Sequence, residues 1–183
     1  EGVPRFVGPF GFTATSSAQW TPLPHPDLRI EVRGHQREGG HMYYEVACAF
    51  ARPREWHSPY YRWAARRRLG HLRAGVYDLV RRELDDDYER LFEGVPFAHR
   101  IPWFGATMRL DVWFKRLADL VNAKVASPVV VAILLRALLP RDFDPDDVGV
   151  AADRAEARSA PRPGQAHVDL NNPFARDVLP EPF

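Results

Sequence analysis

The chain has 183 residues, enough for one domain with a true core plus flanking segments. Its net charge of +1 excludes a global field that would draw in nucleic acid or acidic lipid, so any such attraction must be local. The single cysteine, Cys48, excludes an internal disulfide, and the longest apolar run, residues 125–139, is broken by Arg136 and falls short of the ~20 residues that span a bilayer.

Residues 1–27 are rich in Gly, Pro, Ser and Thr, with Phe6, Phe10, Phe12 and Trp20 scattered among them without a helical or strand period. They predict an extended arm. Residues 28–36 alternate apolar and polar side chains and predict a strand. A turn with two glycines, Gly39 and Gly40, follows. Met42, Tyr44, Val46, Cys48 and Phe50 then share one face at period two, which completes a hairpin. Cys48 reads as a small buried hydrophobe. Residues 51–59 form a longer connection closed by Pro59. A third strand over 60–68 sets Tyr61, Trp63, Ala65 and Arg67 on one face and Arg62, Ala64, Arg66 and Arg68 on the other.

Helical spacing begins at Leu72 and continues through Val76, Leu79, Val80 and Leu84. Residues 85–105 predict an irregular connection. Thr107 is the expected N-cap of a helix whose apolar face is Val112, Trp113, Leu117, Leu120 and Val121. Ser127-Pro128 opens the most apolar helix, which ends near Leu139. Residues 141–183 are polar and Pro-rich and predict a second extended arm. The two arms suit either of two placements, on their own domain or on partner subunits. The order of elements predicts an α+β domain over 28–140, a three-stranded antiparallel sheet followed by a helical subdomain, with arms on both sides.

Motifs for chemistry are few. His35 and His41 lack further partners at metal-ligand spacing, so a hairpin end is the plainer reading. The run Asp85, Asp86, Asp87 lacks the Gly and terminal Glu of a calcium loop and reads as solvated. No phosphate-cradling glycine loop, nucleophile elbow or zinc-protease motif occurs, so neither an enzyme nor a cofactor is expected. All basic residues except Lys115 and Lys124 are arginine, the side chain suited to bidentate contact with phosphate or carboxylate, although GC-rich codon usage would give the same excess. Arg62, Arg66 and Arg68 share a strand face; Arg73, Arg81 and Arg82 follow on the next helix, and Arg100 and Arg109 come later. Convergence of several would make an anion site. A solvated face with arginine stems over apolar surface is the other reading, and spacing alone favours it.

The ordered set of elements resembles the phox-homology (PX) family. Residues 63–80, "WAARRRLGHLRAGVYDLV", look like that family's third strand and first helix, with Trp63, Ala65, Arg67, Arg68 and Leu72 in frame. The stretch "EGVPFAHRIPWFG" stands where the family has its proline-rich membrane loop, and residues 108–138 resemble the helices that follow. The resemblance covers about residues 28–140 and neither arm. It implies a non-enzymatic module that binds phosphoinositide headgroups and docks on a membrane surface. Arg68 would contact the 3-phosphate, Arg100 the 1-phosphate and Arg109 the inositol hydroxyls. Phe97, Ile101, Trp103 and Phe104 would enter the lipid interface. The aromatic that packs on the inositol ring in the family is Leu69 here. The implied location is a peripheral one, on the cytoplasmic face of a membrane or on endosomes. A second expectation, from a different class, is a PX-like structural subunit of a large organelle-membrane complex, with its arms on protein partners. Nucleic acid is not an expected partner, because no RNP-like aromatic signature accompanies the arginines.

Overall fold

The computed structural model describes residues 2–52, 61–98 and 105–140. Three strands, β1 (Asp27–Glu38), β2 (His41–Ala51) and β3 (Tyr61–Arg68), form one antiparallel sheet in the order β1-β2-β3. The strands turn tightly at Gly39 and Gly40, both at positive φ (54° and 76°), the backbone that a two-residue hairpin turn requires. The first strand runs further than its alternation signals, to Glu38, because a bulge at Arg33 resets the register before the turn.

The helices follow: α2 (Leu69–Leu72), a π-helical turn (Arg73–Tyr77), α3 (Asp78–Leu84), α4 (Asp87–Leu91), α5 (Ala106–Asn122) and α6 (Pro128–Leu138). The α+β arrangement is the one the order of elements predicts. The connection predicted over 85–105 contains α4, which Asp87 and Glu89 open with negative charge in the first turn. Thr107 does not cap α5. Gly105, at φ 94°, takes that position, and the Thr107 hydroxyl instead pairs with His35 Nδ1 at 2.7 Å. Ser127 does precede α6 with Pro128 at its first turn, but its hydroxyl donates to Glu83 Oε1 at 2.7 Å.

The helical layer covers one face of the sheet. Ile30, Val46 and Phe50 from the strands meet Trp113, Phe114 and Leu117 of α5 and Val130, Leu134 and Leu138 of α6 in one core, all at most 3% exposed. Each such side chain contributes about 1.5–3 kcal/mol by leaving water, so this layer dominates the fold. Helix α5 also guards the edge of β1. Asn122 Oδ1 accepts from Leu28 N at 2.7 Å while its Nδ2 donates to Leu28 O at 2.9 Å, and Asp111 accepts from Val32 N at 2.9 Å. Backbone groups that would otherwise pair with another strand are thereby occupied.

Where composition predicts an extended N-terminal arm, residues 2–7 form a short helix, α1 (Gly2–Val7). Of the two placements left open for this arm, residues 2–26 take the first and lie on their own domain. Val7, Phe10 and Phe12 are buried, and Phe12 packs edge-on against Phe50 at 5.1 Å. Trp20 Nε1 donates to Ala126 O at 2.7 Å, and Lys124 Nζ donates to the carbonyls of Thr21 and Leu23. No period announces this, because irregular chain is held by single anchors rather than by a repeating face. Residues 141–183, the other expected arm, lie outside the described residues.

Candidate anion-binding site

Strand β3 divides its arginines between two faces. On the inner face, Arg67 reaches the end of α6. Its Nε donates to Ala137 O at 2.8 Å and its Nη2 to Leu139 O at 3.0 Å, while Trp63 Nε1 donates to Leu138 O at 3.1 Å. These carbonyls end a helix, where acceptors lack partners and negative potential accumulates, so a guanidinium is well matched to them.

On the outer face, Arg66 pairs with Glu38 at 2.6 Å. Arg68 behaves differently. It stands directly opposite Tyr43 on β2, and its Nη2 and Nε donate to the Tyr43 hydroxyl at 2.8 and 3.1 Å. Its guanidinium carbon lies 5.2 Å from the Tyr43 ring centre, and that of Arg66 lies 5.6 Å from it. A phenol orients Arg68 without cancelling its charge. Among the described residues no carboxylate pairs with it. The extended backbone of Arg68, at φ −74° and ψ 152°, makes it the last residue before α2.

Arg109 lies exposed in the first turn of α5, which packs along β1, with β2 between that strand and β3. No hydrogen bond or ion pair engages its side chain among the described residues, and none joins it to Arg68. Arg100, Ile101, Trp103 and Phe104 lie outside the described residues. Phe97 is not a membrane-facing residue: it is 6% exposed, tilted on Tyr77 at 4.5 Å and edge-on to Trp113 at 5.1 Å. The Trp113 indole needs an aromatic cage at that end of the core, and Phe97 completes it with Phe92 at 5.2 Å.

Arg73, in the π-helical turn, sits between the Tyr77 and Phe97 rings at 5.1 and 5.2 Å and donates to Ala98 O at 2.6 Å. Its Nε is buried without a partner. This residue holds the start of the loop that the resemblance places at the membrane. A cavity of about 490 Å³ between α3 and α4 is lined only by charged side chains, among them Asp78, Arg82 and Asp86, and its Arg81 is taken by Glu89 at 2.8 Å. Among the described residues no cluster of ligating side chains suits a metal ion, and no helix is long and apolar enough to cross a membrane.

Sequence reasoning placed Arg67 and Arg68 on opposite faces but missed Tyr43. The pairing comes from the register of β2 and β3, in which residue 43 falls opposite residue 68; the Gly39-Gly40 turn sets only the β1–β2 register, so no turn signal announced it. No family model, no curated protein and no solved structure matches this chain.

Proposed function

We propose that the chain is a non-enzymatic module that binds a phosphoinositide headgroup at a membrane surface, with Arg68 as its principal phosphate contact. One observation carries the reading. Of the three consecutive arginines, Arg67 serves the α6 terminus and Arg66 is neutralised by Glu38, whereas Arg68 is held in place by a neutral hydroxyl. An oriented, uncompensated guanidinium beside an aromatic ring is suited to a phosphate, and the fold class agrees with the resemblance to PX domains. Tyr43 stands beside Arg68 in space where the family pattern would set an aromatic at position 69. Arg109 and Arg100 supply further charge in this reading. With Phe97 in the core, the apolar contact among the described residues falls to Met108 and Val112, 66% and 46% exposed on either side of Arg109. The competing reading, a structural subunit with both arms on partners, loses support because residues 2–26 lie on their own domain.

The test is sedimentation with vesicles of neutral lipid, alone or doped with phosphatidylinositol 3-phosphate. Doped vesicles are expected to retain the protein, and Arg68→Ala to weaken retention by about tenfold or more, the scale of one lost charge-assisted contact. Arg66→Ala is expected to leave it within about threefold. Equal retention on both vesicle types overturns the reading.

A further inference from the structure

The outer face of the sheet holds more uncompensated charge than Arg68. Strand pairing aligns Arg29, Ala49 and Arg62 in one row and Glu31, Ala47 and Ala64 in the next. Arg29, Arg62 and Ala64 are exposed, and Arg62 has no carboxylate partner among the described residues. Arg62 and Arg68 therefore stand as unneutralised cations towards the two ends of β3, with the paired Arg66 between them. Beside Arg62 on β3, Ala64 is small and exposed, whereas Ala47 on β2 is buried.

The chain leaves α6 beside this strand, since Trp63 and Arg67 hold the carbonyls of Leu138 and Leu139 from its inner side. After Arg141 come Asp142, Asp144, Asp146 and Asp147, four carboxylates within six positions. Eight residues beyond Leu139 extend up to ~27 Å. The stretch of β3 from Arg62 to Arg68 spans ~20 Å. Among the described residues β3 is the last strand on its side of the sheet, so no described strand lies beyond it.

We propose that the acidic segment 142–147 docks on Arg62 and Arg68 as an intrachain ligand of the outer face. Opposite charge and attachment point both select this occupant. A tether of a few residues sets an effective concentration in the millimolar range, so contacts that are individually weak suffice. A second copy of the chain carries the same carboxylates without that advantage. The docked segment competes with a headgroup for Arg68; this consequence rests on the proposed function, while the docking does not.

The experiment uses the full chain and a variant with Asp142→Asn, Asp144→Asn, Asp146→Asn and Asp147→Asn. Arginine Nε–Hε resonances, assigned by single Arg→Lys changes, report each guanidinium. The variant is expected to shift the Arg62 and Arg68 signals and leave Arg109 unmoved, and to bind phosphoinositide vesicles about three- to tenfold more tightly, because exposed ion pairs are each weak. Unchanged Arg62 and Arg68 signals overturn the docking. Signals that move only with protein concentration overturn it in favour of a second copy. Shifted signals with no vesicle binding by either protein uphold the docking and overturn the lipid reading.

Discussion

Arg68 and Tyr43 face each other across β2 and β3, joined by two hydrogen bonds to one phenolic oxygen and by the stacking of cation on ring. The pair matters because orientation has been achieved with no opposing charge among the described residues. Tyr43→Phe keeps the ring and removes the oxygen. It is expected to cost about 1.5 kcal/mol or less, since the bond from the guanidinium is charge-assisted but only part-buried. Vesicle binding should nonetheless weaken, by about three- to tenfold, as Arg68 loses its fixed rotamer. Chemical denaturation and vesicle sedimentation on the same samples separate the two effects.

Arg67 is expected to behave oppositely. Arg67→Ala leaves the α6 carbonyls of Ala137 and Leu139 without their donor, at a cost of about 1.5–3 kcal/mol by analogy with other charge-assisted bonds. The folded fraction should still bind phosphoinositide vesicles. A variant as stable as wild type in urea would contradict the capping role.

His25 makes stability depend on pH. Its Nδ1 donates to Pro26 O at 2.8 Å, and its Nε2 is buried without a partner between Phe12 and Trp20. Burial pushes its pKa below the ordinary value of 6.5, and Lys124 pushes the same way, against Pro26 O and Asp27. The unfolded chain therefore takes the proton first. Stability is full above pH 6.5, falls as pH drops below it, and is least once the pH passes the folded value. Urea midpoints at pH 7.5 and 5.5 should differ in that sense, and His25→Phe should shrink the difference.

Asn122 clamps both backbone groups of Leu28. Asn122→Ala is expected to cost about 1–3 kcal/mol, the penalty for leaving partly buried backbone groups unpaired. It also opens the edge of β1 to another strand, so concentration-dependent association in light scattering should accompany the loss.

Cys48 is 3% exposed in the core, and burial pushes its thiol pKa far up. A thiol reagent is expected to react only at the rate of unfolding, so native protein should stay unlabelled until denaturant is added. Rapid labelling of the folded chain would contradict the packing of β2.

Period and punctuation were enough to read the sheet, the hairpin at Gly39-Gly40 and the two long helices, because those signals are local: alternation along β2, a 3.6-residue repeat along α5, glycine where φ must be positive. They were also enough to assign Arg67 and Arg68 to opposite faces. What local signals do not carry is which distant group each side chain meets. Thr107 has the chemistry of a helix cap yet bonds His35, 72 residues away, and Phe97 has the look of a surface aromatic yet closes a cage round Trp113. Phe10 and Phe12 lacked any period, and found burial against Phe50, while Trp20 is anchored on the Ala126 carbonyl. Tyr43 became the partner of Arg68 through strand register. Alternation sets the face a side chain occupies; the residue it meets there depends on how separate elements pack, and that is settled by burial of the shared core.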